Sequence, residues 1–339
     1  MKWTVIPAAQ FAVHTAQWDA LQATNVAAPM LQADFAAALL AAFGAGDELL
    51  AMCGDAMAIV RPHGRGSWAT FQPAQAPLGM WIERPGIDRA AAMASLLRAL
   101  PGAALVLGLT QLDPMLAPAP MDAIDYIQTA RITVAGSFDD YWAARGKNLR
   151  GNLKKQRAKL AADGVALRLE VTRDAPAMMA AVADFGRLES AGWKAQAGTA
   201  VHLDNAQGRF YSRMLAAFAE RDAASVYRYW FGDQLVAMDL CISQGDCIVV
   251  LKTAYDESVP KAFSPALLMR EEAVRALFDT APAAGLARIE FYGKVMEWHT
   301  RWTEEVRTLY HVNLYRWTAL RRLHALVRQR RAAPHAVPH

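Results

Sequence analysis

Cys247-Ile-Val-Val-Leu-Lys-Thr-Ala-Tyr-Asp256, Ser264-Pro-Ala-Leu-Leu268 and Ala287-Arg-Ile-Glu-Phe291 read as a strand that ends in polar residues, a helix start and a second apolar strand. Tyr292-Gly293 and the aromatic-rich Trp298-His-Thr-Arg-Trp302 follow. Proline lacks the N–H that would be orphaned at the first helical position, and serine before it is a favoured cap. Ser264 is therefore expected to cap and Pro265 to open the helix, leaving the amides of Ala266, Leu267 and Leu268 free to meet a ligand. A helix amino end carries roughly half a positive charge and directed donors, which suits a pyrophosphate. The small Ala266 lets a bulky group come close. Ser-Pro starts helices in many proteins, so the context carries the reading: Lys252, Tyr255 and Asp256 fall just beyond a hydrophobic strand, on the same side of the sheet.

Outward from this core, the second half of the chain reads as a basic helix over 148–162, a strand over 165–171, helices to about 191 and over 206–219, and strands over 225–231, 235–243 and 246–253. A helix from Pro265 to Phe278, a strand at 286–291 and a closing strand over 305–313 complete it, with Asp174 as a helix cap. The first half shows the same order: a strand at 3–7, helices over 14–23 and 31–42, and strands at 48–53, 56–61 and 67–71. A helix over 88–100, an apolar strand over 103–109 and an outer strand over 127–134 follow. The match lies in element order and turns, and it indicates an internal duplication in a mixed, largely antiparallel α/β fold. Gly136-Ser137 and Gly146 mark the boundary, giving domains at 1–140 and 141–319 and a basic tail at 320–339.

The 339 residues are 54% hydrophobic and 20% charged, as in a folded protein with a dry interior. Net charge is +4, but Arg145 to Lys159 and Arg316 to Arg331 gather cations that attract phosphates or anionic surfaces. Cys53, Cys241 and Cys247 form no disulfide framework, and no basic leader or long uninterrupted apolar run is visible, so a cytoplasmic protein without a membrane span is expected. Among the eight histidines only His335 and His339, in the tail with Pro338 between them, stand four apart, so no helical ligand pair is expected, which argues against a metal site. Gly-x-Ser-x-Gly, Walker-type and Gly-x-Gly-x-x-Gly sequences are absent, which argues against serine hydrolases, P-loop enzymes and dinucleotide binding.

Several residues stand out as candidates. Glu290 interrupts an apolar strand, where a carboxylate is costly unless partnered; it either pairs with a basic residue or orients an acceptor. Trp193-Lys194, after Glu189 and between Gly192 and Gly198, either walls an acceptor pocket with Tyr255 or is a core anchor with a solvated neighbour. The first half offers few charged groups beside its helix start and places acidic Asp88 where an anion would sit, as expected of a structural partner or an acceptor-side wall.

Leu149-Arg-Gly-Asn-Leu-Lys-Lys-Gln-Arg157, Phe185 to Trp193, Leu251 to Asp256 with Ser264-Pro265, and Glu290 to Trp302 together resemble GNAT-superfamily acyltransferases associated with cellulose and exopolysaccharide biosynthesis. These are related to FemAB-type aminoacyltransferases, which hold two GNAT-like folds in one chain. The resemblance covers roughly residues 140–312 and implies tandem GNAT-like folds, the second binding acetyl-CoA or another acyl-CoA. Pantetheine would lie against Lys252, Thr253 and Ala254, and pyrophosphate at the helix opened by Ser264, Pro265, Ala266, Leu267 and Leu268. Two departures are visible: Ala266 where relatives commonly have glycine, and Glu290 with Trp298-His299 where they tend to show aspartate and a Tyr-Lys pair. No Gln/Arg-x-x-Gly-x-Gly/Ala loop of the kind found in simpler GNAT enzymes precedes the helix opened by Pro265.

The chemistry implied is direct attack of an amine or hydroxyl, on a small molecule, sugar or peptide, upon a thioester carbonyl. The ordinary pKa of histidine suits His299 to the role of base, with Asp256 and Glu290 as alternatives acting through water. Two rivals stand beside it. One is aminoacyl transfer from aminoacyl-tRNA bound by the basic helix, whose plain alternative is a solvated face above the stripe of Leu149, Leu153 and Leu160. The other is a non-catalytic ligand-binding or scaffold protein that kept the fold.

Overall fold

In the computed structural model, which describes residues 1–190 and 200–322, the first half contains β1 (Thr4–Pro7), α1 (Thr15–Gln22), α2 (Ala33–Phe43), β2 (Leu49–Met52), β3 (Ala56–Pro62), β4 (Ser67–Thr70), β5 (Trp81–Glu83), α3 (Arg89–Ala99), β6 (Val106–Leu112) and β7 (Ile124–Thr133). Then come α4 (Phe138–Ala143) and α5 (Lys147–Ala162), followed by β8 (Leu167–Thr172), α6 (Met178–Ser190), α7 (Ala206–Ala219), β9 (Ala224–Phe231), β10 (Gln234–Gln244), β11 (Cys247–Tyr255), α8 (Pro265–Ala284), β12 (Arg288–Phe291), α9 (Glu297–Thr300) and β13 (Val306–Tyr315). The fold is the mixed α/β arrangement expected, with two GNAT-like halves. Helix α4 and strand β5 were not legible as separate elements; α4 is started by Ser137, whose hydroxyl accepts from the Asp140 amide.

All the strands among the described residues join one sheet, in the order β1-β2-β3-β4-β6-β13-β7-β12-β11-β10-β9-β8, with β5 added on β3. Each half contributes one parallel pair at the matching position, β4 with β6 and β11 with β12. The last strand of each half crosses to the other: β7 pairs with β12, β13 pairs with β6, and β7 and β13 pair with each other at the centre. The strand expected to close the first half as an outer strand is therefore interior. Its outer edge was an inference from chain order, and chain order does not report non-local pairing.

One face of the sheet is covered by α1, α2, α6 and α7 in a core shared by both halves. Phe210, Met214 and Phe218 recur along α7 at helical spacing and are fully buried, and Phe35 of α2 meets Phe210 edge to face at 5.3 Å. On the opposite face, α3 covers the first-half strands through Leu96 and Leu107, and α8 covers the second-half strands through Leu268, Val274 and Ile289. Each such large apolar side chain contributes about 1.5–3 kcal/mol on burial.

Candidate active site

The parallel pair β11–β12 is short. Only Cys247 to Val249 pair with Arg288 to Glu290. Across β11 from β12, strand β10 keeps pairing up to Ala237 opposite Tyr255, but Leu240 faces Lys252 while Cys241 faces Val250. Leu251 is thus an extra residue, a bulge of the kind that bends a strand away from its neighbour. Beyond it β11 continues beside β10 while β12 ends at Phe291, so the two parallel strands part. The gap opens into a cleft of about 930 Å³ bounded by Lys252, Thr253, Tyr255 and Asp256, by Ser264 to Leu267, and by Phe291 and His299. Ala254 and Leu268 are buried behind this wall rather than on it.

The start of α8 forms one rim. Ser264 makes no side-chain cap, contrary to expectation; its amide donates to Gln156 Oε1 on α5 at 2.8 Å. The Ser264 carbonyl accepts from both Leu267 and Leu268 at 3.0 Å, so those two amides are consumed within the first turn. Since Pro265 has no donor, Ala266 is the residue of this turn whose amide makes no hydrogen bond to another described residue. The tightened turn, unforeseen from sequence, narrows the expected three free donors to one.

The first half shows what a closed version looks like. There Asp88 caps α3, accepting from the Ala91 amide at 2.9 Å. The gap beyond the parallel pair β4–β6 is plugged: the Gly79 amide donates to the Thr110 carbonyl, Met80 to Phe71, and Thr70 and Thr110 share a hydroxyl bond of 2.7 Å. A cavity of about 30 Å³ is what remains beside the plug.

Side chains alternate along β11. Lys252 turns toward α6, where its ammonium pairs with Glu189 at 3.0 Å; Glu189 also accepts from the Val201 amide. Two residues expected to serve donor and acceptor separately are therefore one ion pair. Trp193 and Lys194 lie outside the described residues. Thr253 turns the other way, into a network that sequence reasoning missed: Arg270 of α8 forks onto Asp239 of β10 at 2.7 and 3.0 Å and donates to Thr253, all three beneath the cleft. Burial pushes the Asp239 carboxyl up, against the pull of Arg270 and Thr253. A carboxylate within the apolar run of β10 was the available signal, the same one that drew attention to Glu290. Arg270 also lies over the rings of Phe291 and Trp298, at 5.1 and 5.7 Å.

The three carboxylate and imidazole candidates part company. His299 is buried; its Nδ1 accepts from the Met296 amide at 2.9 Å, and its ring stacks on Trp298 at 3.5 Å. Burial, together with the nearby charge of Arg270, pushes its pKa down to about 4. At neutral pH the ring is uncharged with its proton on Nε2, so it offers a donor where a base was expected. Asp256 stands on the cleft edge. Burial raises its pKa, but hydrogen bonds from Ser258 and Gln234 outweigh that and hold it below its ordinary value, so it is an anion. Glu290 faces away from the cleft, because Ile289 and Phe291 take the α8 side of β12. It meets Arg307 at 2.8 Å and Arg288 at 3.6 Å, while Arg307 forks onto Asp113. Burial raises the Glu290 pKa although Arg307 opposes it. Of the two roles considered for Glu290, pairing with a basic residue is the one present.

Among the described residues there is no grouping of three or more His, Cys, Asp or Glu able to hold a metal ion, and no helix is long and apolar enough to cross a membrane.

Residues 147–300, which include the cleft, match the family model of the acetyltransferase (GNAT) domain. No curated protein matches the chain. Among solved structures, FemX is similar over 95% of this chain and 99% of its own, at 8% identity and a TM-score of 0.56. A conserved protein of unknown function from Bacteroides thetaiotaomicron covers 88% and 96%, at 10% identity and a TM-score of 0.55. The C-terminal domain of a candidate lysylphosphatidylglycerol synthetase from Agrobacterium fabrum covers 94% and 96%, at 13% identity and a TM-score of 0.54. At these identities the likeness is one of fold.

Proposed function

We propose that the cleft binds a phosphate-bearing acyl donor, an acyl-CoA with acetyl-CoA as the first candidate, and passes the acyl group directly to an amine or hydroxyl. The observation that carries this reading is the asymmetry between the halves: the parted strands and uncapped helix start of the second half are open, whereas the first half has the same elements plugged and capped by Asp88. Beyond the bulge, β11 stays paired with β10 but has no β12 partner, and the N–H groups on its β12 side supply donors for a thioester carbonyl. Phosphate settles at the Ala266 end of α8.

In the reaction, the acceptor nitrogen or oxygen forms a bond to the carbonyl carbon while the carbon–sulfur bond breaks. The acceptor's proton passes to water or to the departing thiolate. Anionic Asp256 orients an ammonium or hydroxyl at the cleft edge, and neutral His299 acts as a hydrogen-bond donor. Glu290 has no part in the transfer. In this division of labour, residues 1–140 are the structural partner and 141–319 carry the chemistry.

The FemAB-type reading, with aminoacyl-tRNA as donor, rests on the resemblance and on the cations of α5. Lys147, Arg150 and Lys154 share a hollow on this helix, although Arg157 is already committed to Glu271 and Glu272. Calorimetric titration with acetyl-CoA, longer acyl-CoAs and tRNA separates the readings. Saturable acyl-CoA binding supports the first; tRNA binding lost in the Lys154→Glu/Lys155→Glu variant replaces it with the second; binding of neither leaves a scaffold.

A further inference from the structure

Helix α5 presents two unlike surfaces beside the cleft. Asn148, Asn152 and Gln156, at i, i+4 and i+8, share one face and line a trough of about 580 Å³. The cations Lys147, Arg150 and Lys154 line a different hollow. The trough adjoins the cleft at the start of α8, since Ser264 and Leu267 line both. Gln156 is tied to that start by its bond from the Ser264 amide. Asn148 and Asn152 are exposed, and their side chains make no hydrogen bond to another described residue.

The trough's charges are largely spent. Arg301 pairs with Glu297 at 2.7 Å, and Arg145 donates to the carbonyls of Trp302 and Tyr141. What remains on the α5 side is a row of neutral amides, each both donor and acceptor. Such groups suit a flat heterocycle and sugar hydroxyls better than a phosphate; an Asn or Gln amide pairs in bidentate fashion with the N6/N7 edge of adenine.

We infer that this trough is the nucleoside site of the donor: base and ribose lie on Asn148 and Asn152, the phosphates at the start of α8, and the acyl end between the parted strands. The inference rests on the donor reading above, and the order of the three places supports it. A ligand whose acyl and nucleoside ends are joined through phosphate must pass Ser264 and Leu267, where cleft and trough meet. In the CCA end of a charged RNA the acyl group is esterified to the terminal ribose, and the nucleoside that a phosphate separates from it is the preceding cytidine; acyl-CoA and charged RNA thus both place a nucleoside beyond a phosphate, and the experiment has an arm for each.

The test is calorimetry on the full chain and its Asn148→Ala/Asn152→Ala variant, whose fold is checked by thermal melting. Both changes are at exposed positions, so the melting temperature should hold. The variant should bind coenzyme A about ten-fold more weakly through loss of two hydrogen bonds, yet bind 4′-phosphopantetheine, which lacks the nucleoside, within about two-fold of the parent. Unchanged coenzyme A affinity overturns the nucleoside site while leaving the donor reading intact. An equal loss on 4′-phosphopantetheine overturns it too, because the amides then act only through the helix start. If the parent binds no coenzyme A, the acyl-CoA reading fails by itself and a CCA-ended RNA minihelix decides: a ten-fold loss in the variant upholds the site, and unchanged or absent binding overturns it.

Discussion

Ala266→Asp tests the helix start most directly, because it should move stability and ligand binding in opposite directions. Ala266 lies in the first turn of α8 and lines the cleft. A carboxylate there complements the helix dipole and should stabilise the protein by about 0.3–1 kcal/mol. The same carboxylate repels a diphosphate placed at the helix end. For charges of about −1 and −2 separated by about 5 Å, the repulsion is roughly 2 kcal/mol even at the dielectric constant of water, and roughly 7 kcal/mol at an effective value of 20. The lower figure already corresponds to a loss of at least about twenty-fold in affinity. Urea unfolding measures the first effect and calorimetry with acetyl-CoA the second. A folded, equally stable or stabilised variant that binds acetyl-CoA within about two-fold of the parent would show that no phosphate lies at this end of α8.

Stability should fall with acid in a way that His299 explains: its folded pKa of about 4 lies below its ordinary 6.5, so this contribution is whole above about pH 6.5 and is lost as pH falls toward 4, by about 3 kcal/mol in all. Urea unfolding at pH 7 and pH 4.5 should show that His299→Gln removes part of this dependence. Arg270→Met strands the buried Asp239 carboxylate and should cost about 3–5 kcal/mol, whereas Arg270→Met/Asp239→Leu should recover much of it; similar losses in both variants would refute the pairing argument. Gly79→Ala would place a methyl 2.4 Å from the Thr110 carbonyl oxygen and 2.5 Å from Thr70 Oγ1, so it should cost about 1–3 kcal/mol by prising the first-half plug, measured as a lowered urea midpoint.

Local signals were read from the sequence where local physics governs them. Pro265 opens α8 and the small turns around residues 54, 232 and 245 separate strands as expected, because proline geometry and hairpin chemistry act over a few residues. The alternation of Arg288, Ile289, Glu290 and Phe291 already separated charged from apolar faces. It did not say which face borders the cleft, and the side of β12 that Glu290 takes is decided only in the folded sheet. His299 was visible as a titratable group, but its tautomer depends on the Met296 amide and its acidity on burial under Trp298 and Arg270.

Element order and proline chemistry in the sequence determined a mixed α/β protein with a repeated order of elements and a helix opened by Pro265 in its second half. Tertiary structure decided that β7 and β13 trade places between the halves, that β11 and β12 part after three residue pairs, and that Arg270 reaches Asp239 and Thr253 below the cleft. The physical reason is the range of the interactions: capping and alternation act between neighbours in the chain, whereas strand pairing and the burial of a charge are settled by residues far apart in sequence that meet only when the sheet closes.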